Sequence, residues 1–232
     1  MQQMPPLSLE VSIPVFLTGL AQRLKTFEAT EERINRKTAE NFSPFHYIAL
    51  GENMSSAIVA DLLNPKGAHG QGRLFLDAFL DACGLDPAFF PPGKPLRVAT
   101  EATTWGIEHS LRRMDILLTG GGNVLAVENK LYAGDQKEQV SDYLHHLEKA
   151  VAAAFGQFAL VYLTPGGRRP SEYSLSEETH AAYARQIRTL SWFRLLECLE
   201  ECRKQVDAEK LRFFLKDFIS AIGGILCFAE GE

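Results

Sequence analysis

Apolar residues recur every three or four positions through the first third of the chain, which is the spacing of one helix face. This pattern predicts a helix over residues 15–40. Its imperfect apolar stripe consists of Phe16, Leu20, Leu24, Phe27 and Ile34. A second helix is predicted from Glu52 to Leu63, ended by Asn64 and Pro65. After the glycine-rich loop KGAHGQG, the run RLFLDAFLDACGL predicts a short amphipathic helix that ends near Gly84.

The pattern changes after the proline-rich connection DPAFFPPGKP, which is too short to separate two independent domains. Three runs rich in Val, Leu, Ile and Thr follow, and each predicts a strand. The runs are LRVATEATTW, RRMDILLTG and NVLAVENKL. Glycines between the last two runs predict a hairpin turn.

The next segment predicts a helix with Asp135 as its N-cap and Glu138 completing a capping box. Its apolar face is formed by Val140, Leu144, Leu147 and Val151. The continuous apolar run FALVYLTP then predicts a buried strand, and QIRTL predicts one more short strand. Helices near 191–204 and 209–222 complete the chain.

The centre of the chain therefore has the order β-β-β-α-β, with helices before and after it. This order predicts an α/β layer architecture. We expect one domain over residues 1–232, with a helical N-terminal part at about 1–90. The sheet-containing core is expected at about 96–190, and C-terminal helices at about 191–228.

Composition narrows the classes of function. The 232 residues are 46% hydrophobic and 23% charged, which is ordinary for a globular protein with a buried core. No apolar run approaches the roughly 20 residues of a membrane span, and the N-terminus lacks a secretory pattern. We therefore expect a cytoplasmic protein whose four cysteines, which follow no disulfide or zinc-ribbon spacing, are free thiols. The net charge of −5 argues against a surface that is basic throughout, but it is compatible with a local basic cleft.

Charged residues end the third predicted strand, where the sequence reads VENKL. A turn centred near Gly121 and Gly122 pairs residues whose numbers sum to about 243, which places Asp115 opposite Glu128. Lys130 shares the face of Glu128 by the two-residue period of a strand. Two carboxylates so placed repel each other unless a cation lies between them, and oxygen ligands suit Mg²⁺ or Mn²⁺. The alternative is a solvated strand end with Asp115 as a chance neighbour.

Two helices add polar residues that could face this point. Gln139 and Tyr143 are four residues apart and share one face of the helix after the third strand. On the earlier helix, Glu52 lies on the same stripe as the residues that must face the core, which carries it inward. Both observations also have a simpler explanation, because Gln and Tyr are common on helix surfaces and Glu in a first turn favours the helix dipole.

The order Asp115, then Glu128-Asn129-Lys130, then Gln139-x-x-x-Tyr143 resembles the PD-(D/E)XK nuclease superfamily. The Q-x-x-x-Y element looks like the exonuclease-type branch of that superfamily. The segments GENMSSAIVADLLNPKGAHGQGRLFLDAFL, RRMDILL, VENKLYAGDQKEQVSDY and VYLTPGG look like a mostly bacterial group within it. The resemblance covers roughly residues 45–167, and Met114 stands where the superfamily name has proline.

The resemblance implies a restriction-endonuclease-like α-β-β-β-α-β core, with a mixed central sheet flanked by helices. It implies that Asp115 and Glu128 hold Mg²⁺ or Mn²⁺ with help from Glu52, and that Lys130 is the catalytic lysine. Gln139 and Tyr143 would assist near the metal or the nucleic-acid backbone. The implied activity is phosphodiester hydrolysis, with DNA as the expected substrate, in defence, restriction or repair. The alternative functions are a nuclease-derived binding or interaction module without catalysis, and a protein whose acidic cluster binds a cation for stability.

Several further residues have two interpretations each. Glu101 either joins the acidic cluster or is an exposed strand residue, and Arg113 either contacts phosphate or pairs with a carboxylate. Arg168 and Arg169, after LTPGG, are candidates for phosphate contacts or for a solvated loop. His69 in the glycine-rich loop matches the narrower group and is a further nucleic-acid-binding candidate. No separate specificity domain is visible, so we expect recognition of the substrate to depend on a homodimer or on a separate partner protein. We expect no membrane partner.

Overall fold

The computed structural model describes residues 9–39, 42–104 and 112–229. The chain divides into two compact units, residues 1–47 and residues 48–232. The first unit contains helix α1 (Leu9–Thr38) and a short 3-10 turn at Pro44–His46. Helix α1 begins six residues before the predicted start at residue 15. Residue 40, the predicted end, and Trp105, the predicted end of the first strand, lie outside the described residues.

Two helices begin the second unit, and both were predicted. Helix α2 (Glu52–Leu63) has the predicted bounds, and Ser55, Ser56, Val59 and Leu63, which share one stripe with Glu52, are buried. Helix α3 (Leu74–Ala82) ends before Gly84, whose φ of 67° is a conformation that glycine adopts without strain. The N–H groups of Gly84 and Leu85 donate to carbonyls of the last turn, which satisfies the helix end.

A five-stranded mixed sheet forms the centre of the second unit. Its strands lie side by side in chain order. They are β1 (Leu96–Thr103), β2 (Arg113–Gly120), β3 (Asn123–Asn129), β4 (Phe158–Thr164) and β5 (Ile187–Ser191). Strands β1, β2 and β3 pair antiparallel, whereas β3, β4 and β5 pair parallel. The parallel pairs require crossover connections, and helices supply them.

The predicted register of the β2–β3 hairpin is confirmed. Gly120 pairs with Asn123 and Ile116 pairs with Val127, so the paired numbers sum to 243. The two turn glycines have φ values of 61° and 88°, as a tight hairpin turn that matches the strand twist requires. Continuing this register by one position places Asp115 opposite Glu128.

Four helices complete the second unit. They are α4 (Gln139–Ala152), α5 (Glu177–Ala182), α6 (Trp192–Gln205) and α7 (Glu209–Ala229). The predicted apolar face of α4, from Val140 to Val151, is buried in a core cluster that includes residues of β2, β3 and β4. Helix α5 was not predicted, because none of its side chains is buried and it therefore has no apolar periodicity.

The predicted start of α4 is wrong. The helix begins at Gln139, and its N-cap position is Glu138, which has a φ of 55° and makes no side-chain cap. Asp135 cannot cap the helix because its carboxylate accepts hydrogen bonds from Tyr162, Arg168 and Ser171 instead. The three residues that donate to Asp135 lie in β4 and in the loop after β4. The sequence spacing around Asp135 does not reveal these contacts.

The order α2-α3-β1-β2-β3-α4-β4 contains the predicted α-β-β-β-α-β core, and the α/β architecture is confirmed. No helix in the described ranges is both long enough and apolar enough to cross a membrane. The four cysteines are free thiols, of which Cys83 and Cys202 are buried.

Candidate active site

An acidic cavity of about 400 Å³ lies beside β1, β2 and β3 and the first turns of α2 and α4. It brings together most of the side chains that the sequence singled out. Among its lining residues are Glu52, Glu101, Arg113, Asp115, Glu128, Lys130, Gln139 and Tyr143.

Glu128 and Lys130 form a buried ion pair in this cavity. The Lys130 Nζ and Glu128 Oε1 atoms are 2.7 Å apart, and the two side chains are 5% and 3% exposed. Their common face is the one that the two-residue strand period predicts. A solvated strand end is therefore not what these residues form.

Helix α4 contributes Gln139 to the same carboxylate, and Tyr143 contacts Gln139 from one turn later. The Gln139 Nε2 atom lies 2.7 Å from Glu128 Oε1 and 3.0 Å from the Tyr143 hydroxyl oxygen. The Tyr143 hydroxyl donates to the backbone carbonyl of Arg113 at 2.6 Å. The pair four residues apart thus faces the strand ends and ties Glu128 to β2.

Asp115 connects β2 to the end of β3. Its Oδ2 atom accepts a hydrogen bond of 2.6 Å from the backbone N–H of Asn129. This bond fixes one oxygen of the carboxylate beside the backbone that links Glu128 to Lys130.

Both carboxyl groups have raised pKa values. Burial raises the pKa of Asp115 from 3.8 to about 6, against the lowering effect of the Asn129 N–H and Lys130. Burial and the charge of Asp115 raise the pKa of Glu128 from 4.5 to about 7, although Lys130 opposes the shift. A positive charge between the two groups would remove this penalty.

Two buried oxygens at the site have no hydrogen-bond partner, Glu128 Oε2 and Gln139 Oε1. Buried polar atoms are rarely left without a partner, and carboxylate and amide oxygens are the ligands that Mg²⁺ and Mn²⁺ prefer. The donor set of Asp115 and Glu128 therefore fits a hard divalent cation. Within residues 9–39, 42–104 and 112–229, no group of three or more His, Cys, Asp or Glu side chains has the geometry of a metal site.

The raised pKa values predict how stability depends on pH. Because each acid has a higher pKa in the folded protein, the folded state binds more protons between the ordinary and the raised values. The metal-free protein should therefore lose stability as the pH rises from about 4 to about 7. Thermal unfolding in EDTA should give a higher midpoint at pH 5 than at pH 8, and Mg²⁺ or Mn²⁺ should restore the midpoint at pH 8. An unchanged midpoint with and without metal at pH 8 would contradict the assignment.

Glu52 has a different environment from the one expected of a metal ligand. Its Oε1 atom accepts hydrogen bonds from the backbone N–H groups of Tyr132 and Ala133, at 2.8 Å and 2.7 Å. The carboxylate in the first turn of α2 thus holds the loop that follows Lys130. It also lines the cavity, and its charge helps to raise the pKa of Asp115.

Asn129 is a site residue that the sequence did not reveal. Its buried side-chain amide donates to the hydroxyls of Ser55 and Ser56, each at 3.0 Å, and to the backbone carbonyl of Glu52. Its Oδ1 atom accepts from the indole N–H of Trp192 at 2.9 Å. One side chain between Glu128 and Lys130 therefore connects β3 to α2 and α6.

Asn129→Ala is expected to lower the free energy of unfolding by about 3 kcal/mol, because it leaves the buried Trp192 N–H and two serine hydroxyls without this partner. Urea denaturation measures the change. Asn53→Ala, at an exposed asparagine of the same α2 turn, should change stability by less than about 0.5 kcal/mol. Equal effects of the two variants would contradict the importance of this network.

Glu101 and Arg113 form an exposed ion pair at the edge of the cavity, with 3.6 Å between charged atoms. Thr100 pairs with Ile116 and Ala102 with Met114, so the backbone position of Glu101 is opposite Asp115. Glu101 has a φ of 49°, and its charge helps to raise the pKa of Asp115. Glu101 is therefore an exposed strand residue that lies beside the acidic cluster.

The remaining candidates lie apart from the cavity lining. Arg168 forms an ion pair with Asp135 at 2.8 Å and lies over the Tyr162 ring, and its exposed neighbour is Arg169. Hydrogen bonds from Arg168, Ser171 and Tyr162 outweigh the effect of burial and lower the pKa of Asp135. Asp135 thereby fixes the loop that carries both arginines.

His69 belongs to a different part of the second unit. Its ring contacts the backbone of Asn64 and Gln71 and packs edge-on against Phe75. It lines a mostly apolar cavity of about 530 Å³ between α2 and α7, not the acidic one. These contacts account for the histidine as a residue that orders the glycine-rich loop.

Comparison with known proteins identifies the family of this chain. The family model of the PD-(D/E)XK nuclease superfamily matches residues 42–220, which include every lining residue of the acidic cavity. No curated protein and no solved structure gives a significant match. The mixed sheet flanked by helices is consistent with a restriction-endonuclease-like fold. With the match extending over most of the chain, this protein belongs to the PD-(D/E)XK nuclease superfamily.

Proposed function

We propose that this protein is a metal-dependent nuclease that hydrolyses phosphodiester bonds of DNA with Mg²⁺ or Mn²⁺. The observation that carries the proposal is the unpartnered Oε2 atom of Glu128, in a cavity that Asp115 and Lys130 also line. Buried polar atoms are rarely left without a partner, and a carboxylate oxygen in this position is available as a ligand for a hard divalent cation. Membership of a nuclease superfamily supports the same conclusion.

Asp115 and Glu128 are the proposed metal ligands. A divalent cation bound by these ligands would lower the pKa of a water molecule and neutralise negative charge on the phosphate. Glu52 takes a supporting role in this proposal, since two backbone N–H groups already occupy its Oε1 atom. It holds the loop after Lys130 and adds negative charge near Asp115.

Lys130 is the proposed catalytic lysine. Its ammonium group has three donors, of which one is directed at Glu128, so the group can also donate to an oxygen of a bound phosphate. Such a donor stabilises the negative charge that develops during attack on phosphorus. Gln139 and Tyr143 position Glu128 for this reaction through the hydrogen bonds that tie it to α4 and β2.

Exposed arginines are the proposed contacts to the nucleic-acid backbone. Arg113 lies at the edge of the cavity, and its side chain is 65% exposed. Arg168 and Arg169 lie on the loop that Asp135 fixes, where a cation can contact phosphate without sequence preference. His69 is retained as a weaker member of this set, since its ring is already engaged with its own loop. We further propose that this activity serves defence, restriction or repair.

A panel of substrates tests the proposal. The wild-type protein should cut double-stranded DNA with Mg²⁺ or Mn²⁺ and leave it intact in EDTA. Cutting of closed circular DNA would indicate endonucleolytic action, and cutting of linear DNA alone would indicate the exonuclease type that the Q-x-x-x-Y element suggests. Cutting of RNA alone would correct the substrate. No cutting of any substrate, together with binding of DNA, would favour a catalytically inactive binding module.

A further inference from the structure

Helix α1 carries an apolar seam that belongs to none of the residues matched by the nuclease family model. The seam consists of Ile13, Leu17, Leu20, Leu24, Phe27 and Ile34. These six side chains are between 44% and 61% exposed. Val15 and Phe16 are also exposed on this helix but lie outside the seam. Six large apolar side chains in one line are more than the scattered exposed residues of an ordinary surface.

The spacing of the seam is that of a coiled coil. The steps from Ile13 to Phe27 alternate between four and three residues, and Ile34 follows one heptad after Phe27. The mean spacing of 3.5 residues keeps such a seam facing a second helix when the two supercoil to the left. A helix that packs on a globular core more often shows a wider stripe with a period of 3.6 residues.

Charged residues beside the seam distinguish a parallel from an antiparallel arrangement of α1 with a second copy of itself. Arg23 precedes the seam position Leu24, and Glu28 follows the seam position Phe27, five residues after Arg23. In a parallel pair of identical helices, side chains with this relation face each other across the interface. Arg23 of each copy then pairs with Glu28 of the other, and the contact forms twice.

Antiparallel arrangements lack this charge pairing. The register that faces Leu20 with Leu24 of the second copy brings the two Arg23 side chains together. The register that faces Leu24 with Phe27 places Arg23 beside Thr30. At the positions that flank the seam, the parallel homodimer is therefore the arrangement whose charges are complementary.

One seam position is polar. Glu31 lies four residues after Phe27 and three before Ile34, where the heptad places a core residue. In a parallel homodimer the two Glu31 side chains face each other, which weakens the pair. A single polar core residue of this kind lowers stability and penalises alternative registers.

We propose that α1 forms a parallel two-stranded coiled coil with α1 of a second copy of this chain. The interface makes the protein a homodimer that carries two copies of the acidic cavity. This inference does not rest on the nuclease activity, because the described residues that line that cavity lie between Glu52 and Tyr143.

The mass of the full chain in solution tests the inference. Sedimentation equilibrium of the wild type should give twice the chain mass of 25.8 kDa at micromolar concentration. Leu20→Asp combined with Leu24→Asp should weaken the dimer by at least about a hundredfold, since each change buries a charge at the seam. Gln22→Asp, on the helix face opposite the seam, is the matched control and should remain a dimer. A wild-type monomer, which includes the case of α1 packed on its own chain, would overturn the inference, as would a dimer that survives the double change.

Two further variants test the orientation and do not depend on disrupting the helix. Arg23→Glu and Glu28→Arg should each weaken the dimer by about threefold to tenfold, and the two changes together should restore it. Glu31→Leu should tighten the dimer by about tenfold or more, because it adds two buried leucines to the seam. Failure of the combined charge exchange to restore the dimer, or a weaker dimer with Glu31→Leu, would contradict the parallel arrangement.

Discussion

Asp115→Asn should abolish DNA cleavage and at the same time raise the stability of the metal-free protein. The carboxylate is a proposed metal ligand, so its loss should lower the cleavage rate by at least about a thousandfold. Without metal, burial disfavours the ionised form of this carboxylate and raises its pKa from 3.8 to about 6. A shift of this size corresponds to about 3 kcal/mol at neutral pH, which the neutral amide avoids. Asparagine also keeps an oxygen that can accept the hydrogen bond from the Asn129 N–H.

The two effects are measured separately, by a cleavage assay with Mg²⁺ and by urea denaturation in EDTA at pH 8. Asp207→Asn changes an exposed aspartate outside the cavity lining and should alter neither quantity. A destabilised Asp115→Asn protein would show that the carboxylate is a structural group. An active one would remove Asp115 from the proposed site.

Lys130→Met should lower the cleavage rate by about a hundredfold to a thousandfold while the protein still binds metal. Methionine has a similar length, but it has no charge and no N–H donor to offer a phosphate. The ammonium group of Lys130 lowers the pKa of Asp115 and of Glu128. Without metal, these two carboxyl groups should therefore stay protonated to higher pH in the variant. With Mn²⁺ at pH 8, affinity should be retained, since a positive charge beside the ligands has been removed.

Lys149→Met, at an exposed lysine near the end of α4, is the control for loss of a lysine charge. It should cleave DNA at the wild-type rate. If Lys130→Met loses metal binding together with cleavage, the lysine acts by organising the ligands. If it cleaves normally, Lys130 has no catalytic role.

The position of the site could be predicted because it depends on local patterns. The glycines between β2 and β3 set the hairpin register, and the register determines which carboxylates face each other. The period of a strand placed Lys130 beside Glu128, and the period of a helix placed Gln139 beside Tyr143. Each of these relations spans fewer than about fifteen residues of chain, so it remains visible in the sequence.

The supporting contacts could not be predicted because they join distant segments. The Asn129 amide contacts serines more than seventy residues earlier and accepts from Trp192 more than sixty residues later. Hydrophobic periodicity does not reveal contacts between residues so far apart in sequence. Asn129 therefore looked like an unremarkable residue between two charged ones. The start of α4 was predicted wrongly for the same reason, because Tyr162 and Arg168 compete for the Asp135 carboxylate. Capping rules describe local competition alone.

Glu52 combines a feature that could be predicted from local pattern with contacts that could not be predicted. The stripe of α2 correctly carried it towards the cavity, as its place in the lining shows. The two backbone N–H groups that occupy its Oε1 atom belong to the loop after β3, whose path depends on the whole fold. Helix periodicity thus gave the direction of the side chain but not its partners.

Binding of Mn²⁺ followed by cleavage in the same samples tests the central claim most directly. Electron paramagnetic resonance should show Mn²⁺ bound to the wild-type protein at pH 8, and DNA cleavage should rise with the bound fraction. Asp115→Asn should lose binding and cleavage together, whereas Asp207→Asn should keep both. Wild-type protein that binds no Mn²⁺, or cleavage that persists in Asp115→Asn, would contradict a metal-dependent site built on Asp115 and Glu128.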